Sequence, residues 1–321
     1  MTIEELFHDN KGREVHFLNS TGNLGDALIR YGAVTLFKRN LINFHDLFYP
    51  DKASGKTLFV VGGGAYCWPW HFMCERVNHY LDCFESIFIL PSSFDLSHPG
   101  VKRFIKRLPE KVTVFCREKY SYAQVRRTSQ HKNNIFLDSD MAFHVDYNPY
   151  KTKGRGVLVA FRGDLEKLNT KDIPSGDISD ISSLGVYDRG MLDGYEYFLN
   201  RISSYEEIYT DRAHVAIASA LLGKKITIYP NNYHKVQGIY EHSLSHYPNV
   251  CWKGSRTPDN ASSSFSKIFR AAFSLLKYPA AIRYHANKYL AHATKSGVIA
   301  AILFVFHRII STLLAKRTRR K

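Results

Sequence analysis

EVHFLNSTGNLGD, residues 14–26, sets a short apolar run against a glycine-bearing turn, and the segment after it carries apolar residues at helical spacing as far as Arg39. A strand that ends in such a turn and feeds a helix is the repeating unit of a parallel α/β sheet. Within the turn, Gly22 and Gly25 let the backbone bend tightly and approach a ligand, and the helix start presents N–H groups suited to an anion. The same residues also suit a plain cap, in which Asn23 and Asp26 only close the helix start. Gly22 and Gly25 stand three apart, which does not match a dinucleotide-binding loop, so a nicotinamide cofactor is not indicated.

Working outward, the unit recurs. Strands are expected at Glu14–Asn19, Thr57–Val61, Ser86–Leu90, Val112–Cys116 and Asn134–Leu137, with helices over Asp26–Arg39, His71–Phe84, Gly100–Arg107 and Tyr120–Arg127. DYNPYKTKGR at 146–155 combines Pro, Gly and charge without periodicity and is read as a linker. A second series follows, with strands Val157–Phe161, Glu207–Thr210, Lys225–Tyr229 and Asn249–Trp252 and helices Met191–Ile202, Ala213–Leu222 and Tyr233–Ser243. Leu168–Asp188, rich in Ser, Asp and Gly, is expected to be a long loop near the site. The fold class is therefore α/β, with two Rossmann-like doubly wound domains facing across a cleft, over residues 1–148 and 149–255, and a basic amphipathic helical tail at 256–321. A chain of 321 residues is of the right length for two domains. Ligands of open α/β sheets bind outside the carboxyl ends of the strands. The polar candidates gather at those ends, which favours an enzyme or small-molecule binder over a scaffold.

Composition narrows the partners. Hydrophobic residues make up 45% and charged residues 23%, ordinary values for a globular chain. Lys and Arg total 44 against 29 Asp and Glu, a net charge of +15, and no acidic residue follows Asp259. In that tail Val298–Phe306 is wholly apolar, His307-Arg308 interrupts it, Ile309–Ala315 resumes it, and Lys316–Lys321 closes it with a cationic cluster. Apolar residues beside the charges point to an anionic membrane surface and not to nucleic acid. A spanning helix needs ~20 apolar residues, so the interrupting Arg308 favours lying in the interface. Phe265–Leu290 has the same composition and suits a second surface helix; the alternative is that both helices pack on protein. The five cysteines lack CxxC spacing and sit in apolar sequence, as buried thiols of a reducing compartment do. MTIEELFHDNKG at the start is acidic and polar, unlike a signal peptide, so the bulk of the protein is expected in the cytoplasm, at the inner face of the membrane.

The strand ends carry the chemistry. Gly62-Gly63-Gly64 demands unusual backbone angles or a close approach. Pro91-Ser92-Ser93 offers hydroxyls, and Arg117-Glu118 leaves a buried strand either as ligand groups or as a structural ion pair. Asp138-Ser139-Asp140 has the outline of a metal-binding DxD, although a short acidic pair in a loop is the more ordinary reading. In the second series Arg162 follows one strand, and Asp211-Arg212-Ala213-His214 follows the next before an apolar helix. Two guanidiniums suit a ligand that carries both carboxylate and phosphate. The alternatives are a salt bridge from Arg212 to Asp211 or Asp164 and a merely structural His214. His234-Lys235 adds positive charge to the same edge.

With these residues in view, the chain resembles the polysaccharide pyruvyltransferases. The likeness rests on GNLGD at 22–26, VVGGG at 60–64, PSS at 91–93, RE at 117–118, TDRAHVAIASALLGK at 210–224 and PNNYHK at 230–235, in the family's order. Residues after about Trp252 lie outside it. The resemblance implies a fold like that of two-domain (GT-B-like) glycosyltransferases and transfer of the pyruvyl unit of phosphoenolpyruvate, a co-substrate and not a cofactor, onto sugar hydroxyls of a lipid-linked or polymeric acceptor. It implies donor binding by Arg162, Arg212, His214, His234 and Lys235, and an acceptor side or loop formed by Asn23, Gly25, Asp26, Gly62, Gly63, Gly64, Ser92, Ser93 and Arg117. His214 and Arg212 would be catalytic, with Asp26 or Glu118 deprotonating the acceptor; no metal is required. The competing functions are a glycosyltransferase that uses a nucleotide sugar and a non-catalytic subunit recruited to the membrane.

Overall fold

The computed structural model describes residues 1–20, 22–67, 70–162 and 194–254, together with the backbone of 177–178 and 186–187. Helix α1 (Ile3–Asp9) opens the chain and was not expected, yet its start is written in the sequence. Thr2 Oγ1 accepts the Glu5 amide at 3.2 Å and the Glu5 carboxylate accepts the Thr2 amide at 2.7 Å, a reciprocal capping box. The elements that follow are β1 (Glu14–Leu18), β2 (Gly22–Asn23), α2 (Ala27–Arg39), β3 (Asn43–Leu47), β4 (Gly55–Val60), β5 (Gly63–Tyr66), α3 (Met73–Tyr80), β6 (Phe84–Phe94), α4 (Pro99–Arg107), β7 (Val112–Cys116), α5 (Lys119–Thr128) and β8 (Ile135–Leu137).

The first sheet has seven parallel strands in the order β3-β1-β4-β6-β7-β8, with β5 pairing on β6. Alternation along the strands feeds two cores. Leu58 and Val60 join Val77, Tyr80, Ile89, Phe104 and Val125 under α3 to α5, whereas Phe59 and Val61 join Phe7, Phe17, Ile29 and Phe37 under α1 and α2. Both faces are thus covered, as a doubly wound sheet requires. β6 outruns the expected strand because Pro91-Ser92-Ser93 stays extended, with Ser92 opposite Gly63 on one side and Cys116 on the other. The register slips between Ile89 and Ser92, where Pro91 has no N–H to give. β3, also unexpected, is an edge strand whose NFHDL sequence buries fully only Leu47, too little apolar patterning to read.

The second series is β9 (Val157–Ala160), β10 (Asp177–Ile178), β11 (Val186–Tyr187), α6 (Tyr195–Ser203), β12 (Glu207–Thr210), α7 (Ala213–Leu221), β13 (Lys225–Ile228), α8 (His234–Ile239) and β14 (Val250–Trp252). Five of these strands form a parallel sheet in the order β10-β9-β12-β13-β14. The expected helix Tyr233–Ser243 is divided: α8 gives way to one π-helical turn at Tyr240–Leu244. Of the loop expected at Leu168–Asp188, β10 extends the second sheet and β11 pairs antiparallel with β2; the remainder lies outside the described residues.

In both sheets the strand order reverses direction beside the first strand, between β1 and β4 in one and between β9 and β12 in the other. In open α/β sheets such switch points are where helices depart to opposite faces and where ligands bind, outside the carboxyl ends of the strands. Leu24, Leu28 and Ala142 share one apolar cluster with Phe198, Val215 and Ala216 from the second series, and Tyr31 stacks on Tyr195 at 3.7 Å. A Cβ on Gly32 would fall on the Met141 carbonyl, so this glycine lets α2 close on the 3₁₀ turn Met141–His144. Both sheets belong to one compact unit, Met1–Arg162 with Glu166–Ser262; the other, Gly163–Leu165 with Ser263–Lys321, lies outside the described residues, as does the tail expected at 256–321.

Candidate active site

At the first switch point the chain leaves β1 through Asn19, whose amide nitrogen donates to Asp46 at 2.7 Å and whose oxygen accepts Arg30 Nε at 3.1 Å. Arg30 closes the triangle by donating to Asp46 at 2.7 Å, which pins the loop to α2 and β3. Asp26 then turns back, its carboxylate accepting the Asn23 amide at 2.8 Å and lying 3.2 Å from His214 Nδ1. Gly25 permits that meeting, since a Cβ there would stand 3.0 Å from the His214 Cβ. Gly63 has φ +121°, a left-handed conformation for which glycine is suited, and Gly62 packs against the Pro91 carbonyl. Arg117 Nη2 and Lys235 Nζ each come within 3.5 Å of the position a Gly64 Cβ would take, so two cations converge over this glycine.

Arg117 and Glu118 do not pair with each other. Arg117 Nη1 donates to Asp140 at 2.7 Å and Nε to Ser93 Oγ at 2.8 Å, with Arg117 and Asp140 both 1% exposed. Burial would pull the Arg117 guanidinium down, but Asp140 outweighs it and raises it further. Glu118 caps α5, both of its oxygens accepting the Ser121 amide, and faces His234 Nε2 at 3.5 Å. Burial favours its neutral form; the His234 and Ser121 hydrogen bonds prevail and hold the carboxyl below its ordinary value. Ser92 is turned into its own strand, where its hydroxyl donates to Leu90 O at 2.8 Å.

Asp138 and Asp140 part company. Asp138 accepts the Ile3 amide at 2.7 Å and so holds the start of α1, whereas Asp140 Oδ2 lies 3.8 Å from His214 Nε2 besides binding Arg117. His214 therefore sits between two carboxylates, with Asp26 at Nδ1 and Asp140 at Nε2. Burial lowers an imidazole, yet Asp140 and Asp26 together raise it above the ordinary histidine range, and the Asp140 carboxyl is depressed in return. Asp140 is the site residue that sequence reading passed over. In the sequence it shows only as half of a DxD outline, for which a short acidic pair in a loop is the more ordinary reading.

At the second switch point Thr210 Oγ1 donates to Ala160 O at 2.7 Å and accepts the Arg212 amide at 3.0 Å, tying β12 to β9. Among the described residues no side-chain hydrogen bond caps α7 at Arg212, and a helix start of this kind suits an anion. Asp211 Oδ1 accepts the Arg162 amide at 2.8 Å, and its other oxygen is buried with no hydrogen-bond partner among the described residues. Burial pushes the Asp211 carboxyl up to about 6 despite the Arg162 amide and the charges of Arg162 and Arg212. As pH falls through about 6 this carboxylate is lost and stops cancelling the arginines. Sulfate, whose charge is constant over that range, is expected to bind several-fold more tightly below pH 6 than above it. Titration calorimetry checks this: Asp211→Asn should bind sulfate with no such slope, and an unchanged slope would move its origin elsewhere.

The arrangement thus offers a cation group at each switch point, a helix start beside two arginines, and a histidine set between two carboxylates that favour its protonated form. The sequence profile of the family described as polysaccharide pyruvyl transferase matches residues 23–233, a span that contains Asp26, Arg117, Asp140, Arg162, Arg212 and His214 and ends just before His234 and Lys235. No curated protein matches the chain. A crystal structure of a functionally uncharacterised protein from Klebsiella pneumoniae subsp. pneumoniae NTUH-K2044 is similar at 26% identity and a TM-score of 0.66, over 79% of this chain and the whole of that one. With two thirds of its length inside that profile, the chain belongs to the polysaccharide pyruvyl transferase family and is a transferase.

Proposed function

We propose that the enzyme transfers the pyruvyl unit of phosphoenolpyruvate to a pair of hydroxyls on a cell-surface polysaccharide precursor, with the two sheets acting as donor and acceptor sides of a GT-B-like cleft. One observation carries the reading. Arg162 and Arg212 stand together at the switch point of the second sheet, beside the start of α7, while Asp26 from the first sheet reaches His214 on that same helix at 3.2 Å. Two guanidiniums and a helix start match a small ligand bearing carboxylate and phosphate, and the carboxylate–imidazole pair is placed for proton transfer.

In this reading an acceptor hydroxyl adds to C2 of phosphoenolpyruvate while the C3 methylene takes up a proton from His214. The C2–O bond to phosphate then breaks, and a second hydroxyl closes on C2 to give the ketal, releasing a proton. One phosphate leaves for each pyruvyl group transferred. Arg162 and Arg212 neutralise the departing phosphate and orient the carboxylate. Asp26, whose side chain keeps 34% of its exposure, can reach an acceptor hydroxyl; Glu118, at 0%, is committed to α5 and His234. The acceptor base is therefore assigned to Asp26. Equilibrium binding tests the donor: phosphoenolpyruvate should bind and compete with sulfate, whereas preferential binding of a UDP-sugar would favour a glycosyltransferase.

We further propose that residues 256–321 hold the enzyme at the inner face of the membrane, where lipid-linked acceptors are presented. Support comes from the alternation of apolar and cationic residues between Val298 and Lys321. Among the described residues no helix is long and apolar enough to cross a membrane. A chain ending before Ser296 is expected to act on a soluble acceptor yet lose sedimentation with anionic liposomes, and salt should weaken binding of the full chain. Equal sedimentation of the two would contradict the anchor.

A further inference from the structure

An arginine from the first series and a histidine from the second meet one buried carboxylate. Asp140 Oδ2 accepts Arg117 Nη1 at 2.7 Å and lies 3.8 Å from His214 Nε2, while its other oxygen accepts the Ala142 amide at 2.8 Å. Asp140 is 1% exposed and the His214 side chain 11%, so water screens these charges poorly. Arg117 cannot swing away, because Ser93 holds Nε at 2.8 Å. The other groups around His214 are Asp26 at 3.2 Å from the start of α2, Lys235 on α8, whose charge acts on Asp26, and Arg212 at the start of its own helix. His144, on the 3₁₀ turn after Asp140, faces Glu4 at 4.0 Å.

We propose that Asp140 is a positioning residue of the transfer reaction, a single carboxylate that clamps Arg117 against His214 and neutralises the repulsion between them. It touches neither reacting atom in this account. Its work is to let a guanidinium from the first series and an imidazolium from the second occupy one buried site together. Remove its charge alone, and Arg117 acts on His214 with Asp26, on the Nδ1 side, left to oppose it. Remove the charges of both Asp140 and Arg117, and most of that effect cancels. The inference rests on the pyruvyl-transfer reading for its role in turnover, but not for the electrostatics.

The test is the titration of His214 in the full-length protein labelled with ¹⁵N-histidine, its resonance identified by its loss in His214→Gln. No substrate is needed, so failure of the proposed activity and failure of this inference read differently. In Asp140→Asn the His214 titration should fall by about one pH unit or more. In Arg117→Gln/Asp140→Asn at least half of that shift should be recovered. Should the single variant fail to fold with its buried arginine unpaired, Arg117→Gln against the double variant gives the same reading, with His214 titrating lower in the second. A residue that only fills space would change melting temperature and leave the titration in place. An unmoved His214 in Asp140→Asn, or an equal shift in the single and double variants, would overturn the proposal.

Discussion

Replacing Arg212 by alanine is expected to reduce turnover with phosphoenolpyruvate by two to three orders of magnitude and to weaken donor binding, while the protein still unfolds cooperatively. Arg212 is buried, 2% exposed, at the start of α7 beside Arg162, and each is placed at a strand end and not in an apolar cluster. Loss of one charged hydrogen bond in such a site costs roughly 2–5 kcal/mol. Arg162→Ala should behave alike, whereas the core should hold, because Val215, Ala216 and Ile217 pack as before. Steady-state kinetics with a calorimetric Kd decide it. Near-normal activity and affinity in Arg212→Ala would remove the donor site from the second switch point.

His214→Gln should lower the rate by about 10²- to 10⁴-fold, the usual worth of a positioned proton donor, and should also change the shape of the pH profile. The sign follows from the site. Asp140 and Asp26 raise the imidazole against the effect of burial, so the protonated form persists above the ordinary value of about 6.5 and is lost as pH rises through the raised value. Activity that depends on the imidazolium therefore falls on the alkaline side, and glutamine removes that limb. Stability follows the same direction: the contribution is fully present below the unfolded value and fades as pH rises through the folded one. A profile of unchanged shape in His214→Gln would leave His214 a phosphate ligand and nothing more.

Much of this was legible in the sequence because parallel strands buried on both faces are written as short apolar runs, and because their ends are punctuated. Val112–Cys116 and Glu207–Thr210 are strands over just the residues expected, and α7 falls one residue short of its reading. Strand ends also delivered Asp26, Arg117, Arg162, Arg212 and His214 to the two switch points. What failed to show was set by contacts between distant segments. β3 buries little and is held by pairing with β1, and the glycine run that opens β5 shows in the sequence only a need for unusual backbone angles or a close approach, its pairing being supplied by β6. Glu118 reads as a site acid from its strand end, but its carboxylate is spent on the Ser121 amide three residues on. Asp140 becomes informative only when Arg117 and His214, remote in sequence, arrive at its two sides.

Pyruvyl transfer from phosphoenolpyruvate is checked by following both products of one incubation. Full-length protein with phosphoenolpyruvate and a lipid-linked or polymeric sugar acceptor should release one phosphate for each acceptor that gains C₃H₂O₂. A ketal and an enolpyruvyl ether are isomers with that same gain, so the proton spectrum separates them: a new C-methyl signal marks the ketal and vinyl signals the ether. Stoichiometric phosphate release with the methyl signal is the expected result, both lost in Arg212→Ala. An acceptor that gains no such mass from phosphoenolpyruvate, while a nucleotide sugar is consumed in its place, would contradict it.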